Sequence, residues 1–180
     1  MIRKGQIVEI PASAAVYSRE LPVFHSKRDE LIWKSGKKQY SLFDGFLVGE
    51  HQGLENFRLG QRKGISVGGK KEPLYVIGMD EKENRLFVGA GEAHPGLWEE
   101  AVSLGDAEWH TGLSFSGEEL EKGVDVEIVT QSGGHNIPAK LYGFEGSFFL
   151  EFKNKMPLTA VGAIFGLMYQ DKMIMNITKN

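Results

Sequence analysis

The sequence predicts a mainly β protein of the α+β class, with a small mixed domain followed by a C-terminal antiparallel β-barrel. Three observations favour this fold. Short runs of alternating apolar and polar residues recur in the second half of the chain. The 23 glycines exceed average usage and suit a chain with many tight turns. The 180 residues suffice for one sizeable core or two small ones, and we place the mixed domain at 1–96 and the barrel at 97–180.

The first domain contains few regular patterns. Residues 6–10 predict a strand that ends at Pro11. Residues 12–45 show no clear period, apart from a weak helix over 26–33 that has Ser26 as its N-cap. A turn or short helix is expected at 54–59.

Strand patterns dominate from residue 74 onward. Residues 74–77 and 85–88 predict a hairpin joined by the polar stretch 80–84. Further strands are expected at 124–128 and 148–152, with a terminal hairpin at 164–169 and 173–177. Short strands spaced by glycine and polar turns are typical of a small antiparallel barrel or sandwich.

Composition excludes several chemistries. The chain has no cysteine, so its residues supply no disulfide, thiolate nucleophile, persulfide carrier or cysteine-ligated zinc. No apolar run approaches the ~18–20 residues that span a bilayer. The basic N-terminus is not followed by an apolar stretch, which argues against a signal peptide. We therefore expect a cytoplasmic protein with no membrane partner.

Charge is distributed unevenly along the chain. The net charge is −3, but residues 1–75 hold 13 Lys+Arg against 8 Asp+Glu, whereas residues 76–180 hold 8 against 16. A polyanionic partner is therefore expected to meet the first part of the chain.

The most informative stretch is the glycine-rich segment, residues 49–69, which reads GEHQGLENFRLGQRKGISVGG and is followed by Lys70 and Lys71. Its glycines let the backbone approach a partner closely, and its cations and neutral donors suit phosphate groups. The residues predicted to contact a polyanion are His51, Asn56, Arg58, Gly60, Gln61, Arg62, Lys63, Gly64, Lys70 and Lys71. The alternative is a solvated turn that Leu54, Phe57 and Leu59 pin to the core.

Several motifs in and after this segment resemble a known family. Residues 49–54 and 59–65, then 72–78, then 84–89, resemble in order and spacing the central-domain signature of bacterial tRNA-specific 2-thiouridylases. The likeness continues through Gly91, residues 94–95 and the region of Trp109, and it covers about residues 46–110. Beyond residue 120 only the strand pattern matches.

The resemblance implies a three-part enzyme that adenylates and then thiolates uridine-34 of certain tRNAs. In that family an N-terminal ATP-pyrophosphatase domain holds the catalytic cysteines, and a central domain and a C-terminal β-barrel hold the tRNA. This chain resembles the last two parts alone. We therefore expect a tRNA-binding portion that has no catalytic residues, cofactor or metal of its own, with catalysis supplied by a separate ATP-pyrophosphatase chain.

The chain also departs from the family pattern. Residues 12–45 form an inserted segment where the family has a short turn, and Phe57 and Arg58 stand where the family has Tyr and Thr. The family's Arg-rich barrel contact falls on the uncharged residues 131–134. The family's Pro-Gly-Gln turn and closing glycines are missing around 160–163 and 175–177. RNA contacts are therefore expected mainly from the first domain.

Other functions have weaker support in the sequence. Residues 132–135 read Ser-Gly-Gly-His but lack the Asp-Ser that would complete an ATP-pyrophosphatase loop. His94 near Glu92, and His110 near Glu108, lack a third metal ligand at a usual spacing.

An alternative function remains open: a diverged protein-interaction module that has lost tRNA binding. Its inserted segment would present Tyr17, Phe24 and Trp33 to a partner.

Overall fold

The structure is a computed structural model that describes residues 4–18, 20–105, 107–109, 115–131, 133 and 136–177. Its strands are β1 Gly5–Glu9, β2 Phe46–His51, β3 Leu74–Asp80, β4 Arg85–Ala90, β5 Trp98–Leu104, β6 Ala107–Trp109, β7 Val124–Thr130, β8 Ile137–Phe144, β9 Ser147–Pro157, β10 Ile164–Tyr169 and β11 Lys172–Ile177. The helices are α1 Lys27–Ser35, α2 Gly117–Lys122 and α3 Leu158–Val161, with 3-10 turns at Leu42–Asp44, Leu54–Asn56 and Pro95–Leu97. The predicted mainly β class is confirmed.

The chain divides into two compact units. The first unit comprises Met1–Pro22, Lys37–Trp98 and Pro157–Thr159, and the second comprises Val23–Gly36, Glu99–Met156 and Ala160–Asn180. The change of unit after Trp98 lies close to the predicted domain boundary at 96. Residues 23–36, which the sequence predicts as part of the first domain, are in the second unit.

The first unit is built on a four-stranded sheet in the order β2-β1-β4-β3. Strand β1 runs parallel to β4 and antiparallel to β2. Because successive side chains of a strand point to opposite faces, Ile7 packs with Val76 and Leu86 on one face, while Val8 packs with Phe87 on the other. Both faces of the sheet are therefore buried.

The two faces are covered by different segments. Phe57, Ile65 and Val67 cover the face that contains Ile7. Ala14 and Tyr17 contribute to the cover of the opposite face. The segment that follows β2 is thus part of the core as well as of the surface.

The second unit has a seven-stranded sheet in the order β5-β9-β8-β7-β10-β11-β6. Its core includes Ile128, Leu141, Leu150, Leu167 and Ile174, each almost fully buried. Strand pairing among the described residues does not join β6 to β5, so closure into the predicted barrel is not confirmed. The predicted terminal hairpin is confirmed as the antiparallel pair β10–β11.

Helix α1 is the helix that the sequence predicts. Its N-cap is Ser26, whose hydroxyl accepts a hydrogen bond from the amide of Asp29 at 3.0 Å. Leu31 is buried against Tyr142 and Phe149 of the second unit.

Ion pairs add to this hydrophobic contact. Lys27 and Lys34 both bind the Glu151 carboxylate of β9, each at 2.8 Å. Burial disfavours the charged form of Glu151 and by itself raises its pKa. Hydrogen bonds from both lysines outweigh this effect, so the pKa of Glu151 is lowered.

Candidate nucleic-acid interface

The predicted cations lie on one loop of the first unit, residues 57–73, which we call the basic loop. It follows the 3-10 turn Leu54–Asn56 and leads into β3. Phe57 is 6% exposed and packs in the core, with Ile65 and Val67 partly buried beside it. Leu59 is 39% exposed, so it is not the core anchor that the alternative turn interpretation expects. The loop is thus anchored by apolar residues at its start and middle.

Backbone hydrogen bonds fix the loop to the outer edge of β3. The amide of Gly60 donates to the carbonyl of Val76 at 2.7 Å, and the amide of Val76 donates to the carbonyl of Gln61 at 2.9 Å. Gly60 has φ +79°, and a β-carbon at this position would lie 2.5 Å from a methyl group of Thr159. Both observations require glycine here. Because the Gly60 amide is already bonded, Gly60 positions the loop.

The Gln61 side chain ties the loop to itself. Its carbonyl oxygen accepts from the amide of Arg58 at 2.9 Å, and its amide nitrogen donates to the carbonyl of Lys63 at 2.8 Å. The same nitrogen lies 3.4 Å from the carbonyl of Asn56. Gln61 therefore stabilises the turn from which the cations project.

Two further predicted contacts also serve the local structure. The exposed Arg58 guanidinium donates from Nη1 to the carbonyls of Glu55 and Phe57, at 2.9 and 2.7 Å. The exposed Asn56 amide donates to the carbonyl of Gly53 at 3.3 Å. Arg58 keeps its positive charge at the surface, since its partners here are neutral carbonyls.

The remaining cations lie beyond Gly60. Arg62, Lys70 and Lys71 line a polar groove of about 390 Å³ together with Glu72. Lys63 and Gly64 are exposed, and Gly64 has φ +85°. Lys70 also forms an ion pair with the Glu9 carboxylate of β1. The structure therefore brings Arg62 and Lys71 together with a partly neutralised Lys70.

His51 occupies a different environment from the cations. It is 2% exposed, its Nδ1 accepts from the amide of Gly53 at 3.1 Å, and its Nε2 lies 3.2 Å from the carbonyl of Asn84. Its ring also packs edge-on against Phe57. The structure thus places His51 beneath the loop as a positioning residue, because both ring nitrogens are already bonded inside the unit.

The structure describes some of the other residues that the sequence analysis considered. His94 is buried, with Nε2 2.9 Å from the carbonyl of Ile10 and Nδ1 accepting from Gly96. In the second unit Gln131 is exposed. His110, the Trp109 side chain, Ser132, Gly134 and His135 lie outside the described residues. Within the described ranges no cluster of three metal-ligating side chains occurs.

Sequence reasoning missed two residues of this surface. Glu9 lies in β1 and meets Lys70 from 61 positions away in the chain, so no local pattern indicates the pair. The Tyr75 hydroxyl lies beside the Arg62 guanidinium and donates to Glu92 at 2.9 Å. Tyr75 alternates with buried residues in β3, which marks it only as a residue of a half-buried strand.

The arrangement suits the binding of phosphate groups. Arg62, Lys63 and Lys71 are exposed cations on a backbone that hydrogen bonds and apolar contacts hold in place. Lys and Arg side chains position nucleic-acid backbones without reading sequence. No described helix is both long and apolar enough to cross a membrane.

Comparison with known proteins places the basic loop inside a defined domain. Residues 34–90 match the model of the tRNA methyl transferase PRC-barrel domain. The chain is 44% identical over 108 residues to the tRNA-specific 2-thiouridylase MnmA of Christiangramia forsetii, covering 60% of this chain and 27% of that protein.

Two further relatives carry the same name. The protein of Karelsulcia muelleri is 30% identical over 151 residues, which is 84% of this chain and 37% of the relative. The protein of Bacillus pumilus is 34% identical over 100 residues, which is 56% of this chain and 27% of the relative. The chain thus spans between about a quarter and two fifths of the length of the relatives it matches. The resemblance to this family is confirmed, and it relates the chain to tRNA-modification proteins.

Proposed function

We propose, from its kinship with the tRNA-specific 2-thiouridylases, that this chain is the tRNA-binding portion of a tRNA 2-thiouridylase-like protein. The observation that carries the proposal is the basic loop, whose exposed cations project from a backbone fixed to β3 through Gly60 and Gln61. A loop that is already held in place loses little conformational entropy when it binds. The contacts between its charges and a polyanion therefore contribute more of their free energy to affinity.

Binding rests on contacts between cations and phosphates. Arg58, Arg62, Lys63 and Lys71 meet the tRNA backbone, and Lys70 contributes less because Glu9 offsets its charge. Gly64, which is exposed and has no side chain, lets a phosphate approach the backbone. His51, Gly60, Gln61 and Asn56 hold the loop in shape.

Catalysis comes from elsewhere in this proposal. The chain contains no cysteine, so it supplies no thiol for sulfur transfer. A separate ATP-pyrophosphatase chain would adenylate and thiolate the wobble uridine while this chain holds the tRNA. A 2-thiouridylase truncated to remove the region matched here provides the test: adding this chain should restore thiolation of a tRNA transcript. If this chain binds all of the tRNA and thiolation is still not restored, the proposed role beside a separate catalytic chain is contradicted.

Salt-dependent binding tests the RNA-binding part of the proposal. If about four cations meet phosphates, log K for a tRNA transcript should fall with log salt at a slope of roughly −3 to −4. The double variant Arg62→Ala/Lys63→Ala should make this slope shallower by roughly 2. Lys82→Ala, which removes an exposed cation outside the basic loop, serves as the matched control. A titration without salt-sensitive binding at low ionic strength would refute the proposal.

A second candidate function has one observation in its favour. Large apolar side chains of the inserted segment are exposed: Leu21 by 71%, Val23 by 85% and Phe43 by 99%. This favours a protein-interaction module. Of the residues that the sequence assigns to the partner, Trp33 is 45% exposed and packs on Phe24, whereas Tyr17 is half-buried and bonds Tyr40 at 2.8 Å.

Point substitutions separate this candidate from RNA binding. Removing residues 12–45 would also remove Leu31 and Ala14 from the two cores, so a deletion would not be informative. Leu21→Ser/Phe43→Ser, which changes two exposed residues of the first unit, should weaken association with the truncated 2-thiouridylase and leave tRNA affinity unchanged. Unchanged association would exclude these residues as the docking surface.

A further inference from the structure

A second cavity lies in the first unit beside the basic loop. Its volume is about 230 Å³, and its lining includes Gly60, Tyr75, Glu92, Trp98, Leu158 and Thr159. Pockets for drug-sized ligands usually measure roughly 300–1,000 Å³. This cavity is therefore suited to a single flat ring system.

The walls of the cavity combine two aromatic rings with one polar edge. The Tyr75 hydroxyl donates to Oε1 of Glu92 at 2.9 Å, and the Trp98 indole donates to the backbone carbonyl of Glu92 at 3.2 Å. Both aromatic donors are thus directed at the same residue. The Glu92 side chain is exposed and, as a carboxylate, can accept further hydrogen bonds.

The protonation of Tyr75 agrees with this arrangement. Desolvation and the hydrogen bond to Glu92 raise the pKa of the Tyr75 hydroxyl, against the opposing effect of Arg62. The hydroxyl is therefore protonated at neutral pH, with its donor committed to Glu92. The polar edge of the cavity accepts hydrogen bonds but has no free donor among these groups.

The cavity and the cation-lined groove are both lined by residues of the basic loop and of β3. Gly60 of the basic loop forms part of the cavity wall. Arg62, which lines the groove, interacts with the hydroxyl of Tyr75, which lines the cavity. A phosphate bound at Arg62 would therefore hold the base of the same or the next nucleotide at the mouth of the cavity.

We propose that this cavity binds one unpaired nucleobase of the RNA, stacked on Trp98 and Tyr75 with an amino group donating to Glu92. The inference rests on the proposed function and adds a base-selective site to a backbone-binding surface. Stacking on aromatic side chains tolerates every base, whereas the Glu92 acceptor favours bases with an exocyclic amine. Cytosine should therefore bind better than uracil, which presents a carbonyl at the same position.

Ten-nucleotide oligocytidylate and oligouridylate test the selectivity, since they differ in base but not in phosphate count. The intact protein should bind oligocytidylate about tenfold or more tightly. Glu92→Gln should reduce this ratio to about one, because its amide can donate to uracil as well as accept from cytosine. A ratio that Glu92→Gln leaves unchanged, or no preference for cytidine in the intact protein, would overturn the proposal.

Trp98 variants test the stacking. Trp98→Leu should weaken binding of oligocytidylate and of a tRNA transcript roughly five- to 150-fold with an unchanged salt slope, and Trp98→Phe should retain most of the affinity. The matched control is Trp33→Leu, which changes an exposed indole of the second unit. Thermal unfolding of each variant shows whether it is folded. The chain has three tryptophans, so quenching by oligocytidylate that is present in the intact protein and lost in Trp98→Leu reports stacking on Trp98.

The outcomes separate this inference from the function on which it rests. Salt-dependent tRNA binding that is indifferent to Trp98→Leu, without fluorescence quenching, would overturn the base site alone. Loss of all salt-dependent binding in the intact protein would overturn the proposed function together with the base site.

Discussion

His51 and His94 make the same pair of hydrogen bonds in the first unit. In each, Nδ1 accepts from the amide of the glycine two residues further on, Gly53 or Gly96, at 3.1 Å. An Nδ1 that accepts cannot carry a proton, so the neutral ring carries its proton on Nε2. That nitrogen then donates to a distant backbone carbonyl, at 3.2 Å for His51 and 2.9 Å for His94.

The two rings secure the central part of the sheet near both ends of β1. The His94 partner is Ile10, which directly follows β1. The His51 partner is Asn84, whose carbonyl also accepts from the amide of Gln6 at 3.2 Å. Because Lys70 pairs with Glu9 of the same strand, the basic loop and the two histidines share one support.

The burial of His94 makes stability depend on pH. Desolvation lowers the pKa of His94 below its usual 6.5, although the bond to Ile10 and the charge of Glu9 oppose this. The unfolded chain therefore binds more protons than the folded one below about pH 6.5, and the free energy of unfolding should fall as the pH drops through this range. Chemical denaturation at pH 7.5 and 5.5 measures the change.

Substitution isolates the contribution of this one residue. His94→Asn should cost about 1–3 kcal/mol at pH 7.5 and less at pH 5.5. His25→Gln, at an exposed histidine, should shift neither value appreciably. Equal costs of His94→Asn at both pH values would show that its titration is not linked to folding.

Gly60 should be sensitive to the addition of a single methyl group. Gly60→Ala would place a β-carbon at positive φ and against Thr159, which should destabilise the fold by about 1–3 kcal/mol. It should also weaken tRNA binding, since relief of the contact with Thr159 displaces the loop and strains its backbone bond to Val76. Gly68→Ala is the matched control, because a β-carbon there meets nothing within 4 Å and Gly68 does not have a positive φ. Equal stability of the two variants in thermal unfolding would contradict this role for Gly60.

The cations of the basic loop should contribute unequally to tRNA binding. Lys63→Ala should reduce the magnitude of the salt slope by roughly 1, and Lys70→Ala by less, because Glu9 neutralises Lys70 in the free protein. Glu9→Gln should make the slope steeper by freeing the Lys70 charge. Affinities measured between 50 and 200 mM salt compare the three variants. If Lys70→Ala proves as costly as Lys63→Ala, the Glu9 pair does not persist in solution.

Glu151 should stabilise the attachment of α1 to the second unit. Glu151→Gln removes one of the two carboxylates that Lys27 and Lys34 share, leaving Glu30 of α1, and should cost about 1–2 kcal/mol at pH 7. Because the folded pKa of Glu151 is lowered, its contribution is present above about pH 4.5 and is lost as the pH falls through the folded value.

A matched glutamate controls for this effect. Glu145→Gln changes an 81% exposed partner of Arg28 and should alter the free energy of unfolding by less than about 0.5 kcal/mol. Chemical denaturation at pH 7 compares the two variants. Equal effects would mean that the Glu151 network is no stronger than a surface pair.

Local sequence patterns predicted the elements that are stabilised by contacts between residues close together in the chain. The β3–β4 hairpin follows from two short β-type runs joined by a polar stretch, and α1 follows from the cap at Ser26, since both signals lie within a few residues. The β10–β11 hairpin is predicted as well, but the sequence leaves residues 170–172 between its strands, whereas Lys172 already belongs to β11. Gln170 and Asp171 both adopt positive φ, +47° and +62°, without glycine, so composition does not reveal the two-residue turn.

Long-range partners account for most of what the sequence could not predict. Lys27 and Glu151 lie 124 positions apart, so no local pattern assigns residues 23–36 to the second unit. The motif around His51 predicted a hydrogen-bond donor to RNA. The ring is instead buried, with its two nitrogens bonded to the carbonyl of Asn84 and the amide of Gly53. Exposed cations such as Arg62 and Lys63 were predictable, since charge without a buried partner remains at the surface.

The basic loop is attached to β3 by bonds that do not involve its charged side chains. Gly60, Gln61 and Val76 hold the loop through main-chain atoms. Arg62, Lys63 and Lys71 take no part in those bonds, so their replacement leaves the attachment intact. The loop can therefore acquire a new charge pattern, in evolution or by engineering, while the architecture beneath it stays the same.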